Sequence, residues 1–229
     1  MIVGLDTSTN AASVAVIGAR GEFERHDDPD RPRHAQTLQP MLEQVLADAG
    51  GTWEDVERIC VGVGPGGFTG LRLGIATARA LAQALDVPLV GVSSLEALAL
   101  GVEDDHHDVL AVIDARRGEV FAALYREGRC IIEPVAIRPG ELAARLSRRR
   151  EAILGVGDGA VRFREQLERA GVAVPADGSH AHRVSALMIC RLGRTREPVD
   201  RDALLPDYRR EPDAQEPPGG AAAPPDPPA

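Results

Sequence analysis

Gly64, Gly66, Gly67 and Gly70 follow an apolar strand, Ile59–Val63, and lead directly into a helical pattern beginning near Leu71. A strand, a glycine-rich turn and a helix start together can do two kinds of chemistry. Free N–H groups and the positive dipole end can hold an anion, or glycines without Cβ atoms can let another backbone approach closely. The loop lacks the Gly-Lys-Ser/Thr ending of a phosphate-binding P-loop. The chain has no lysine at all, so all 26 basic residues are arginine. Pro65 also breaks the spacing of a dinucleotide fingerprint. Thr69 is the expected helix cap. Gly70, Gly74 and Ala78 recur every four residues as a small-residue stripe, with Leu71 and Ile75 beside it. Such a stripe allows close helix packing, either against the chain's own sheet or against a partner.

Other residues with chemical capacity are scattered. Asp6-Thr7-Ser8 ends the first strand, and Gly157-Asp158-Gly159-Ala160 ends a later one. Both could hold phosphate or nucleotide, although a hairpin turn satisfied by its own hydroxyls is the simpler reading of the first. His34 stands alone, with Leu38 one helical turn on, so the two-histidine metal pair is missing. His106-His107 and His180-x-His182 lack that spacing as well, and no metal is expected. Ser93 and Ser94 fit helix capping through Glu96, since no nucleophile elbow surrounds them. Asp114 and Glu119, with Arg116 and Arg117 between them, read as a surface ion-pair network. Arg145, Arg148, Arg149 and Arg150 form the one basic cluster, read as an expected helix C-terminus or, second, as a weak contact for tRNA or an acidic partner.

The elements that carry these residues are readable from pattern. Ile2–Asp6 and Ala11–Ile17 read as a hairpin, with a third strand near Glu22–His26. A charged loop follows at 27–33. Leu38, Met41, Leu42, Val45, Leu46 and Ala49 recur at helical spacing, with Pro40 predicting a kink or a late start. After the glycine loop come a helix to Leu85, a strand Pro88–Val92 and a short capped helix. The second half repeats this outline. Val109–Asp114 and Glu119–Arg126 form a hairpin, Cys130–Ile137 a strand, Glu141–Arg149 a helix, Ala152–Val156 a strand and Val161–Ala170 a helix. This duplication predicts an α/β protein of the actin-like superfold (ASKHA, ribonuclease H-like), with a lobe at 1–103, a reduced lobe at 104–210 and a disordered Pro-rich tail at 211–229.

The motif Gly64-Pro65-Gly66-Gly67-Phe68-Thr69-Gly70-Leu71-Arg72-Leu73-Gly74 resembles the signature of the TsaB (YeaZ) family of tRNA threonylcarbamoyladenosine biosynthesis proteins. The likeness extends to Leu5–Thr9, His34, Val92–Leu95, Asp114–Phe121 and Pro206–Arg210. Gly67 and Arg117 depart from the family's usual Ser and Met. The resemblance implies the same actin-like fold and a non-catalytic scaffold that binds and activates the transferase TsaD, together with the ATPase TsaE. That complex modifies adenosine 37 of tRNA, and tRNA would be reached only indirectly. In actin-like kinases, turns such as Asp6-Thr7-Ser8 hold phosphate. An ATP-dependent small-molecule kinase using Asp6, Thr7, Ser8, Gly157 and Gly159 is therefore the alternative, and ATP with Mg²⁺ is otherwise expected only at the partner interface. The family's four-helix pairing implies that Leu38, Leu42, Gly70, Leu71, Gly74, Ile75 and Ala78 form the partner interface, in a homodimer or with TsaD. A metallopeptidase is disfavoured by the missing histidine.

Bulk properties agree with such a scaffold. The 229 residues are 44% hydrophobic but only 3% aromatic, with a net charge of −9. An acidic, aromatic-poor chain does not grip nucleic acid by itself. Three separated cysteines, Cys60, Cys130 and Cys190, read as buried free thiols, and no signal or membrane segment is evident, so a cytoplasmic location is expected.

Overall fold

A computed structural model describes residues 1–27, 33–102 and 108–209. The tail 211–229, His106-His107 and most of the loop 27–33 lie outside the described residues.

The chain forms two five-stranded sheets of matching topology. In the first, β1 (Ile2–Asp6), β2 (Ser13–Gly18), β3 (Gly21–His26), β4 (Arg58–Gly64) and β5 (Leu89–Ser93) take the order β3-β2-β1-β4-β5. In the second, β6 (Asp108–Arg116), β7 (Glu119–Arg126), β8 (Arg129–Ile137), β9 (Ile153–Val156) and β10 (Val172–Ala173) take the order β8-β7-β6-β9-β10. In each, a hairpin is followed by a helical crossover to a strand parallel to the first. The sequence duplication is thus a structural one, and the fold is the actin-like α/β fold expected.

Helices α1 (His34–Asp48) and α2 (Phe68–Leu85) cover the outer face of the first sheet; α4 (Pro139–Leu146), α5 (Asp158–Arg162) and α6 (Arg164–Arg169) cover that of the second. The amphipathic stripe of α1 buries Leu38, Met41, Leu42, Val45 and Leu46. Pro40 lies inside α1 on its exposed side, so the helix starts early, not after the proline. The carbonyl that Pro40 leaves unpaired belongs to Gln36, which is exposed to water.

Two short helices join the sheets. α3 (Ser94–Leu100) leaves the first sheet and packs on β6 and β7, while α7 (Ala186–Gly193) returns from the second to pack on β1 and β2. They also touch each other, and a shared core of Cys60, Leu95, Leu98, Ile113, Phe121 and Ile189 lies between the sheets. The segment from Ala186 onward, assigned by its position to the second lobe, therefore packs on the first. The expected helix 161–170 is broken at Phe163, whose φ of −112° is not helical, into α5 and α6. Cys60 and Cys190 are buried free thiols, but Cys130, on β8 at the sheet edge, is exposed.

Glycines set how closely α2 lies on β1. A Cβ at Gly70 would fall on the Thr7 carbonyl oxygen, and one at Gly74 on the Thr7 hydroxyl. Gly70→Ala should destabilise the protein by about 2 kcal/mol through overpacking, despite the better helix propensity of alanine. Gly140→Ala, at a helix position with no heavy atom near the added methyl, should be neutral or stabilise by up to about 1 kcal/mol. Urea denaturation of both variants measures the difference.

Candidate functional site

The turn after β1 is where the first sheet meets its signature loop. Asp6 is 1% exposed. Its Oδ1 accepts hydrogen bonds from the Ser8 amide at 2.9 Å and the Ser8 hydroxyl at 2.6 Å, and its Oδ2 accepts from the Ser94 hydroxyl at 2.6 Å. Ser94 Oγ in turn accepts from the Gly64 amide at 3.2 Å. Burial pushes the Asp6 carboxyl above the usual carboxylate range, against the pull of Ser8 and then Ser94. The Thr7 hydroxyl donates to the Gly70 carbonyl at 2.7 Å, and the Gly67 amide to the Ser8 carbonyl at 2.7 Å. The Asp6 carboxyl, the Thr7 and Ser8 hydroxyls and the Ser8 amide and carbonyl are thus used to fasten β1, the signature loop and the start of α3 together.

Gly157 and Gly159 are also used for packing. Gly157 has φ +105°, and a Cβ there would fall on the Val112 carbonyl oxygen; one at Gly159 would press on the backbone between Ile113 and Asp114. The Gly157 amide donates to His182 Nδ1 at 3.2 Å, and His182 Nε2 lies 3.1 Å from the Pro175 carbonyl. All five sequence-predicted nucleotide residues are buried, and among the described residues Ser8 borders an opening. Thr69 does not cap α2; the cap position is Gly67, which offers no side-chain bond. Ser93 does cap α3, accepting from the Glu96 amide.

That opening is a cleft of about 540 Å³ between the two sheets. Ser8, Thr9 and Asn10 line one wall, Arg33 and His34 with Gly67–Gly70 a second, and Asp114 with Arg116 the third. His34 is 7% exposed, and its Nε2 lies 3.0 Å from the Thr9 carbonyl. Arg116 crosses the cleft to Asn10 Oδ1 at 2.6 Å. Asp114 pairs with Arg116 at 3.3 Å, as expected, and also with Arg162 at 2.6 Å, both within the second lobe. The sequence reading missed Asn10 and Arg33, because polar loop residues carry no pattern of their own.

The comparisons with known proteins decide the family. A family model described as TsaD, tRNA N6-adenosine threonylcarbamoyltransferase, matches residues 31–150. The tRNA threonylcarbamoyladenosine biosynthesis protein TsaB of Escherichia coli is 39% identical over 127 residues, covering 55% of this chain and 54%, about half, of that protein. The protein of the same name from Bacillus subtilis is 28% identical over 214 residues, covering 91% and 93%. The crystal structure of YeaZ from Pseudomonas aeruginosa is 30% identical with a TM-score of 0.74, covering 90% of this chain and 98% of that one. A second structure from that organism, described as similar to the peptidase YEAZ, is 32% identical with a TM-score of 0.76, covering 91% and 99%. The chain belongs to the TsaB (YeaZ) family.

The residues that the family resemblance assigned to a partner interface pack largely within this chain. Leu38, Leu42, Leu71, Gly74, Ile75 and Ala78 are buried in this chain's own core, and Gly70 rests on Thr7. They hold α1 and α2 onto the sheet, and Gly70 also lines the cleft. The open face of α2 instead presents Thr69, Ala76 and Ala80, and that of α1 presents Gln36, Gln39 and Pro40. A further side of α2 is clasped by the chain's own C-terminal segment. Arg72 and Arg79, seven residues apart and so on one face of α2, bind Tyr208 at 2.9 Å and Asp202 at 2.6 Å, and Asp86, just past the helix end, binds Arg201 at 2.9 Å. Arg72 also stacks 3.7 Å above the Phe68 ring, whose centroid lies 5.5 Å from that of Tyr208. In the sequence, Phe68, Arg72 and Tyr208 were visible only as parts of the family motifs.

Ser94→Ala removes one donor from Asp6 and the acceptor of the Gly64 amide, and should cost about 2–3 kcal/mol near neutral pH. The raised Asp6 pKa means that protonation favours the folded state: this contribution is fully present below the unfolded value of 3.8 and is lost as pH rises through the folded value. Losing Ser94 raises the folded value further. The penalty of the variant should therefore be smaller at about pH 5 than at about pH 8, as read by chemical unfolding at both.

Proposed function

We propose that this chain is a non-catalytic subunit of the system that forms N6-threonylcarbamoyladenosine at position 37 of tRNA, docking onto the transferase TsaD and activating it. The observation that supports this reading is the internal use of the Asp6, Thr7 and Ser8 side chains, which commits the side chains of that turn to hydrogen bonds within the chain. A small-molecule kinase would need those groups for Mg-ATP. The names of the Escherichia coli and Bacillus subtilis relatives supply the pathway. The TsaD description of the matching family model supports a transferase partner of related fold.

The docking surface is the open face of α1 and α2. Ala76 and Ala80 are exposed and small, and no charged side chain stands between them on that line of the helix. Two such faces can approach closely and form a four-helix contact. The same face serves a homodimer when the chain is alone. The ATPase TsaE belongs to the same assembly, tRNA is reached only indirectly, and ATP with Mg²⁺ belongs only at the boundary with the partner. The location is cytoplasmic; among the described residues no helix is long and apolar enough to cross a membrane.

Light scattering of this chain mixed with TsaD of the same organism tests the surface. Ala76→Arg should leave the monomer folded, because Ala76 is exposed, yet weaken the complex by about a hundredfold or more by burying an unpaired charge. Gly74→Arg should instead unfold the chain. An unchanged complex with Ala76→Arg would refute the docking face, and no complex with the native chain would refute the scaffold role.

A further inference from the structure

We propose that a small cavity between the β1–β2 turn and the segment 177–183 binds a small neutral α-amino acid, its ammonium on Asp158 and its carboxylate on Arg183. The cavity has a volume of about 210 Å³. Thr9, Asn10 and Ala11 of the first lobe form one side, and Asp158 and Val161 of α5 with residues of 177–183 form the other. Most polar groups on these walls are already committed. His182 Nδ1 accepts the Gly157 amide, so Nε2 carries the ring hydrogen and donates to the Pro175 carbonyl. That ring is neutral and has both nitrogens occupied. Asp177 pairs with Arg164 at 2.5 Å, the Thr9 hydroxyl donates to the Ala11 carbonyl at 3.1 Å, and Asn10 Oδ1 accepts from Arg116.

Two opposite charges are left. Arg183 is half-buried, and among the described residues its guanidinium has neither a hydrogen bond nor an ion pair. Asp158 is half-buried as well; its Oδ1 accepts the Asp114 amide at 3.0 Å, and no side chain among the described residues donates to the carboxyl. Burial pushes this carboxyl above the usual carboxylate range, against the pull of the Asp114 amide. The two groups line one cavity without pairing with each other, and each bears the cost of a charge taken partly out of water. A zwitterion answers both at once and adds no net charge. An ammonium donates to the carboxylate, and a ligand carboxylate accepts the parallel N–H groups of the guanidinium. The cavity is smaller than the roughly 300 Å³ at which pockets for larger ligands begin, and Ala11 and Val161 offer an apolar wall to a short side chain. Because its walls come from both lobes, the bound amino acid would hold them together. This inference does not depend on the proposed tRNA pathway.

Titration of the full chain with L-alanine, followed by the NMR shifts of the amides of 158–161 and 179–183, tests the site. Saturable shifts are expected. Propionate, which lacks the ammonium, and ethylamine, which lacks the carboxylate, should each bind about tenfold or more weakly than L-alanine. Arg183→Gln and Asp158→Asn should weaken L-alanine to a similar extent. Both variants should fold, since Arg183 has no partner among the described residues and the Asn oxygen can still accept the Asp114 amide. Should either fail to fold, the two half-ligands decide the matter on the native chain. The absence of saturable shifts with L-alanine would overturn the proposal. So would propionate binding as tightly as L-alanine, which would make this a simple anion site, or native affinity in a folded Arg183→Gln chain.

Discussion

The close approach of the β1 turn to the signature loop is the constraint on which the rest of the molecule depends. Three positions where a methyl group would collide, Gly66 on Ser8 and Gly70 and Gly74 on Thr7, bring α2 down onto the end of β1. Asp6 then collects the ends of three elements through Ser8, Ser94 and, via Ser94, Gly64. Its carboxylate is removed from water and held by neutral donors, so the arrangement is satisfied only while all three elements are in place. With α2 fixed in this way, α1 packs beside it, and the outward face of both helices becomes a single platform.

The two halves solve the same problem differently. Asp114 stands at the end of β6 as Asp6 stands at the end of β1, yet its partners are the guanidiniums of Arg116 and Arg162. Arg116 has φ +64° at a register shift in the β6–β7 hairpin. Such bulges re-aim side chains, and here the side chain crosses to Asn10 in the first lobe. One half thus carries a sealed polar knot, and the other an ionic one open to the cleft. The crossed helices α3 and α7 connect them through a shared apolar core.

Much of the architecture was legible because strand alternation, helical periodicity and turn residues act locally. The paired hairpins, the Ser93 cap and the sequence duplication all rest on such signals. What periodicity cannot say is which neighbour an apolar face meets. The stripe Gly70-Gly74-Ala78 reads as a close-packing surface for either the chain's own sheet or a partner, and Gly70 and Gly74 rest on Thr7 of the same chain. α7 went unnoticed because eight residues give barely two turns of pattern, and the clasp of residues 201–208 on α2 is made by polar contacts far apart in sequence. At the cleft, Ser8 and His34 were singled out, but nothing in the order of residues predicts that Asn10 and Arg116 meet across it.

The central claim is that the phosphate-binding turn of this actin-like fold is filled by its own loop, leaving the chain to work as a surface. Isothermal titration calorimetry of the full chain alone with Mg-ATP addresses it most directly. The account predicts no saturable heat, because Asp6, Thr7 and Ser8 would have to leave Ser94, Gly70 and Gly67 to bind nucleotide. A saturating isotherm with one nucleotide per chain would contradict it.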